Sequence, residues 1–186
     1  SLKHRTLAYK GFLTGQLKVS VVSTGKYVMP YLISEFLGQN EGIDIVMDVT
    51  NKARVIQSLA SNEVDFAMVS VMPTDLDLDS LTLMSNKLYL VGGASRVEKL
   101  KKIDKEVLKT SLLIYREEGS ATRQQMEEFL TKNELPVIKR MELTSNEAVK
   151  QAIIAGLGFS VLPLIGIKNE IANGSIRVIP FKGLPM

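Results

Sequence analysis

Cysteine and tryptophan are both absent from the 186 residues, and histidine occurs once, as His4. Without cysteine there is no disulfide, no thiolate-ligated metal and no thiol nucleophile. A lone histidine in a polar N-terminal stretch leaves no basis for a Ser-His-Asp triad or a histidine-based metal site. Neither a metal nor a cofactor is therefore expected. The chain also lacks an apolar run near the ~18 residues of a membrane span, and lacks the charged-then-apolar opening of a signal segment. These absences point to a cytoplasmic place and to no membrane partner, although a signal removed by processing would leave the same trace. Neither sign of charge dominates: Lys+Arg number 23 against 20 Asp+Glu, for a net charge of +3. So small a surplus does not argue for nucleic acid, which is marked by a basic stripe. What remains is 45% apolar and 23% charged, the balance of an ordinary globular protein. The length admits one large domain or two small ones, with roughly 70% of the unfolded surface buried. The chain opens at Ser1 without an initiator Met, which reads as an excised fragment.

Apolar periodicity is clear from Gln16 onward. Leu17 to Val21 alternates as a strand, and the segment from Tyr27 to Leu37 carries apolar residues at helical spacing. Pro30 fits that helix only in its first turn, where a missing N–H costs nothing, and Gly38 is expected to close it as a left-handed C-cap. A strand over 43–49 leads through Thr50 and Asn51 into a helix over 52–60. The following run, Phe66-Ala67-Met68-Val69, is apolar enough to predict a strand buried on both faces.

The same order then recurs: a strand over 112–115, the loop Gly119-Ser120, a helix over 121–130, a strand ending at Leu143, a helix starting at Thr144-Ser145-Asn146, and a strand over 159–162. Phe36 and Phe129 each sit in a Glu-Phe-Leu triplet, and Phe66 and Phe159 open the matching strands at the same offset. Thr50 and Thr144 fall one residue further apart. So long a period is no solenoid; it implies two similar β-α-β-α-β lobes, each a small parallel sheet with helices on its faces. Such sheets bind ligands at the carboxyl ends of their strands, so two lobes built alike would face those ends across a cleft.

Small hydroxyl and glycine residues fill the strand-to-helix loops of both lobes: Ser23-Thr24-Gly25, Thr50-Asn51, Gly119-Ser120-Ala121-Thr122 and Thr144-Ser145-Asn146. Each precedes a helix, where backbone N–H groups are unpaired and the helix dipole is positive. An anion there gains about 0.3–1 kcal/mol per helix end. The same residues are also ordinary N-caps, worth about 1 kcal/mol each to the fold, and Thr144 with Glu147 fits a capping box. Four such loops at matching places favour a second use, because a cap can also present its hydroxyl to a ligand.

Other candidates carry less. Glu117-Glu118 could serve as an acid/base pair, but adjacent carboxylates point apart, and solvated loop charges are the favoured reading. Arg123, in the first turn of its helix, suits an anionic ligand or the surface equally. The run from Arg96 to Lys109 reads as a solvated amphipathic stretch, without the interleaved aromatics of a nucleic-acid site. The eight Met are read as core gap-fillers. Gly92-Gly93, after a strand over 88–91, is where a hinge between lobes is expected.

The succession Gly15-Gln16-Leu17, the helix start Tyr27-Val28-Met29-Pro30-Tyr31-Leu32 and the stretch Asn62-Glu63-Val64-Asp65-Phe66-Ala67 resemble LysR-type transcriptional regulators. So do Glu118-Gly119-Ser120-Ala121-Thr122-Arg123, Ser145-Asn146-Glu147-Ala148-Val149-Lys150 and Ala155-Gly156-Leu157-Gly158-Phe159-Ser160. No one of these is specific; their order and spacing together are. The likeness runs from about Gly15 to Met186 and covers the effector-binding domain. Within the family, the segments at 118–123 and 145–152 are most similar to the branch that controls Rubisco and carbon-fixation operons.

The resemblance implies an α/β, periplasmic-binding-protein-like fold of type II: two Rossmann-like subdomains with a small effector, expected to be anionic, in the cleft between them. It implies a linker remnant over 1–14, subdomain I over 15–88 plus 165–186, and subdomain II over 89–164. Effector contacts carried over position by position fall on Ser23, Thr24, Thr50 and Ser70 in the first lobe, and on Gly119, Ser120, Thr122 and Ser145 in the second. The family's pairing of helices implies a homodimer or tetramer, joined antiparallel through the helix from Tyr27 to Leu37 of one subunit and that from Arg123 to Leu130 of the other. Operator DNA would be met only through an N-terminal helix-turn-helix that this chain does not contain. The family usually continues past Met186 with a strand and a helix, so subdomain I is expected to be incomplete here. The leading expectation is thus a sensing domain without catalysis. Its alternative is an extracytoplasmic solute-binding protein of a transporter; an enzyme on the same scaffold is disfavoured by the missing acid/base pair.

Overall fold

The computed structural model describes residues 13–137 and 141–186. His4 and most of the expected linker remnant lie outside the described residues. The chain divides into two compact units, Ser1–Asp79 and Ser80–Met186.

In unit 1, β1 (Gly15–Val22) runs into a short 3-10 turn over Gly25–Tyr27 and then α1 (Met29–Gln39). Pro30 sits in the first turn of α1, as its missing donor requires. Gly38 is not the predicted left-handed cap. It lies inside α1, which closes when the Asn40 side chain donates to the Phe36 carbonyl at 2.8 Å. Next come β2 (Ile43–Thr50), α2 (Lys52–Ala60) and β3 (Phe66–Met68). The three strands are parallel in the order β2-β1-β3, with Val22 opposite Thr50 and Val21 opposite Met68. Val19, Val21 and Val22 of β1 and Val55 of α2 are buried, as the central strand of such a sheet demands. β3 is not buried on both faces: Phe66 is 60% exposed, because the strand is an edge with a neighbour on one side only.

Unit 2 opens with β4 (Leu88–Gly93), the short α3 (Ala94–Val97) and α4 (Lys105–Thr110). Then β5 (Ile114–Arg116), α5 (Ala121–Lys132), β6 (Met141–Leu143), α6 (Asn146–Ile154) and β7 (Phe159–Pro163) repeat the order of unit 1. β5 pairs parallel with β6, and a parallel bridge between Leu113 and Phe159 sets β7 on its other side. The order β6-β5-β7 therefore matches β2-β1-β3, as the internal repeat predicts. Unit 2 goes further: β7 pairs antiparallel with β4, whose other edge takes β8 (Ile176–Val178), which follows α7 (Lys168–Ala172).

That last pairing changes the expected division. Residues 165–186 were assigned to the first lobe but pack in unit 2, because β4 offers an open edge. Ile179 donates to the Leu90 carbonyl, and Leu88 to that of Met186, both at 2.9 Å. Gly92 and Gly93 are likewise no hinge. They are buried inside β4, where a Cβ on Gly92 would lie 2.7 Å from the Phe159 ring and one on Gly93 would strike the Ile153 carbonyl oxygen. Close packing, not backbone freedom, requires them. Two apolar clusters flank the unit 2 strands, one around Tyr115, Phe129 and Phe159, the other around Ile114, Val149 and Ile153. No helix among the described residues is long and apolar enough to cross a membrane.

Candidate functional site

Parallel register puts the loops after β1, β2 and β3 at one end of the unit 1 sheet. Ser23 and Thr24 follow β1 directly and are buried. The turn after them presses on the strand: a Cβ on Gly25 would lie 2.8 Å from Val21 Cβ. Thr24 makes no side-chain cap bond there. Thr50 is the last residue of β2 and half-buried; capping of α2 falls to Asn51, whose side chain accepts from the Arg54 amide at 3.1 Å. Ser70, half-buried, lies two residues past β3. Unit 1 thus brings Ser23, Thr24, Thr50 and Ser70 to the carboxyl ends of three adjacent strands.

In unit 2 the strand ends are those of β5 and β6, with Arg116 opposite Leu143. Gly119 takes φ +83°, a left-handed conformation that glycine adopts without strain, and turns the chain into α5. Ser120 caps α5, accepting from the Arg123 amide at 3.4 Å, and Thr122 is buried in the first turn. Ser145, not Thr144, caps α6, accepting from the Ala148 amide at 3.1 Å. Extended backbone at Ser145 places its hydroxyl over the helix end; the cap is shifted by one residue, and with Ala148 at its third position the predicted capping box does not form. Unit 2 therefore gathers Gly119, Ser120, Thr122 and Ser145 at its own strand ends.

The charges around these loops are arranged more tightly than the sequence suggests. Glu117 is not a solvated loop charge: its two oxygens accept from Nε and one terminal nitrogen of Arg116 at 2.7 and 2.8 Å. Arg116 is 3% exposed, and its remaining terminal nitrogen donates to Oδ1 of Asn146, the first residue of α6. Arg123 is also buried, bonded to Glu127 at 2.8 Å, to Glu142 at 2.9 Å and to the Arg116 carbonyl at 3.4 Å. Burial works against the Arg123 charge, but its hydrogen bond and ion pair with Glu127, and the charges of Glu142 and Glu118, outweigh it. The guanidinium is held above its ordinary pKa. The sequence reading passes over Arg116 and takes Asn146 only as part of a helix-start loop; the one available signal is a pair of opposite charges set directly against the end of an apolar strand. Among the described residues no cluster of three or more acidic or histidine side chains is placed to hold a metal ion.

Residues 10–186 match the family described as the LysR substrate binding domain. The chain is 36% identical over 178 residues to the HTH-type transcriptional activator CmpR of Synechocystis sp., covering 95% of this chain and 59% of that protein. It is 34% identical over 182 residues to the RuBisCO operon transcriptional regulator of Allochromatium vinosum, again covering 95% and 59%. The chain thus spans less than two thirds of the curated relatives it matches. Among solved structures, the regulatory domain of Synechocystis PCC6803 CcmR in complex with 2-PG superposes with a TM-score of 0.83 at 32% identity, covering 92% of this chain and 83% of that one. The effector-binding domain of QuiR in complex with shikimate reaches a TM-score of 0.76 at 16% identity, covering 94% and 84%, a likeness of fold alone.

Proposed function

The chain belongs to the LysR substrate-binding-domain family, with its type II periplasmic-binding-protein-like α/β fold, and from that premise we propose that it senses a small anionic metabolite through the loops at its strand ends. The observation that carries this reading is the placement of hydroxyls at parallel strand ends in both units: Ser23, Thr24, Thr50 and Ser70 in one, Ser120, Thr122 and Ser145 in the other. Helix N-termini beside them supply donors and partial positive charge. The likeness to the CcmR regulatory domain in complex with 2-PG makes that compound the first probe of this reading. A solute-binding protein of a transporter is not favoured, since the matched relatives are named as transcriptional regulators.

Effector binding biases the regulator between arrangements through its differential affinity for them, about 1.4 kcal/mol per tenfold. Operator DNA is met by a part of the regulator outside this chain, the work is done in the cytoplasm, and no reaction is catalysed. Calorimetric titration with 2-PG tests the sensing. Thr50→Val, which keeps the shape and removes the hydroxyl, weakens binding about 3–10-fold. Ser120→Asp keeps the α5 cap but sets a charge against the ligand, and weakens it about tenfold. Unchanged affinity in both, with the wild-type chain binding, places the site elsewhere.

Assembly through the helices at 27–37 and 123–130 belongs to the same proposal. None of the α1 residues is buried, and Tyr31, Leu32 and Phe36 leave an exposed apolar face with Tyr31 80% exposed. Tyr31→Glu is expected to raise the dimer dissociation constant at least about tenfold, read by sedimentation equilibrium. A wild-type chain that sediments as a monomer at high concentration refutes this mode of assembly.

A further inference from the structure

Two arginines lie almost dry at the carboxyl end of β5, and they are neutralised in different ways. Arg123 is fixed from ordered elements: Glu127 comes from its own helix four residues on, and Glu142 from the middle of β6. Arg116 is held by its neighbour in sequence. Successive side chains of a strand point to opposite faces, so the clasp forms only because the chain leaves β5 at Arg116 and Glu117 turns back. The guanidinium itself is anchored: its backbone ends a buried strand, its carbonyl accepts from Arg123, and its third nitrogen donates to Asn146 at the start of α6. Glu117 instead belongs to the loop that continues through Glu118 and the left-handed Gly119 to the Ser120 cap. Glu117 keeps one tie to the sheet, its amide donating to the Leu143 carbonyl of β6 at 3.1 Å, so what can part from the anchored cation is its carboxylate and the loop beyond it.

The contact is a fork: two parallel N–H···O bonds from one edge of the guanidinium to both oxygens of a carboxylate. Arginine gives that geometry to carboxylates and phosphates and to few other groups. Asn146 ties the same guanidinium to the helix capped by Ser145, and the loop from Glu117 ends at the Ser120 cap. The pair therefore stands at the loops already proposed to meet the effector.

We propose that Arg116 is the oxyanion-reading residue of the effector site, and that the Glu117 carboxylate occupies its fork until a carboxylate or phosphate of the ligand takes the same two bonds. This rests on the reading that these strand ends bind the effector. It also names a response: once displaced, the Glu117 carboxylate swings off Arg116 while its amide stays on β6, and the loop from Glu118 to the start of α5 adjusts to it. The ligand's oxyanion is the shared chemistry; phosphate and carboxylate are its two sources.

The test titrates the full chain, as wild type, Arg116→Met, Arg116→Lys and Glu117→Gln, with 2-PG, inorganic phosphate and acetate, and records thermal melting alongside. Glu117→Gln is expected to melt lower than wild type without ligand, to bind 2-PG about 3–10-fold tighter, and to gain more melting temperature from it than wild type does. Arg116→Met weakens binding about tenfold or more. Arg116→Lys keeps the charge and the fold but loses the fork, and binds several-fold more weakly than wild type. Whichever of phosphate and acetate loses affinity with Arg116→Met identifies the oxyanion read. If wild type binds while Glu117→Gln is no tighter and Arg116→Lys no weaker, the pair is structural and the assignment falls alone. If wild type binds none of the three probes, the effector reading falls with it.

Discussion

Phe159→Ala is expected to lower the unfolding free energy of unit 2 by about 3–5 kcal/mol, a large part of the 5–15 kcal/mol that a typical domain possesses. Phe159 is fully buried in the cluster with Tyr115, Met126 and Phe129. It stands where the parallel and antiparallel parts of unit 2 join: its amide donates to the Leu112 carbonyl at 3.0 Å, and it lies opposite Gly92 of β4. The glycine leaves the ring its room and has no side chain with which to fill the space once the ring is gone. The Arg96 guanidinium, 5.2 Å from the ring centroid, loses a cation–π contact as well. A cavity walled by strands that cannot close in is the costly kind. Phe181→Ala is the control: that half-buried ring meets Phe129 edge-on at 5.5 Å from the rim of the same cluster, and its loss is expected to cost about half as much. Urea unfolding measures both. Equal costs would mean that Phe159 does not hold the junction together.

What could be foreseen from sequence, and what could not, divides at the range of the forces involved. The helix Lys52–Ala60 and the start of α5 at Ala121 were legible to the residue, because caps and periodicity act within a few positions. The internal repeat was legible too, since both units keep the strand order it implies. Gly92-Gly93 misled because glycine reports a missing side chain without saying whether freedom or close approach requires it. β3 misled because apolarity does not say how many neighbours a strand will have. Residues 165–186 were misassigned because strand choice depends on which edge lies open, a property of the assembled sheet. Of the site, the hydroxyl loops were visible as local N-terminal signals. Arg116 was not: a charged residue at a strand end is ordinarily exposed, and only the folded chain brings Glu117 and Asn146 onto its guanidinium.

The segment Ser145-Asn146-Glu147-Ala148-Val149-Lys150, one of those that carry the family likeness, works as a structural circuit, and its far end supports the last large effect. Ser145 caps α6 and Asn146 meets Arg116, while Lys150 reaches Glu147 one turn back and Glu170 of α7, both at 2.9 Å. The Lys150 side chain is 10% exposed and that of Glu170 is 17% exposed, so this is a largely desolvated pair and not a surface one. Removing one partner strands the other charge. Lys150→Met is accordingly expected to cost about 2–3 kcal/mol, somewhat below the 3–5 kcal/mol seen for fully buried pairs, because water still reaches Glu170. Lys150→Met with Glu170→Gln removes both charges and is expected to recover about 1–2 kcal/mol of that loss. The two single variants and the double variant, compared by urea unfolding, form a cycle that isolates the coupling. A coupling below about 0.5 kcal/mol would assign the pair the weight of an exposed one. Because Lys150 acts on the body of α6 while Ser145 and Asn146 act at its start, the same Lys150→Met chain, held well below its melting temperature, should bind 2-PG within about threefold of wild type. A much larger loss would mean that the start of α6 shifts when α7 lets go, and that the site depends on helix placement and not on the cap alone.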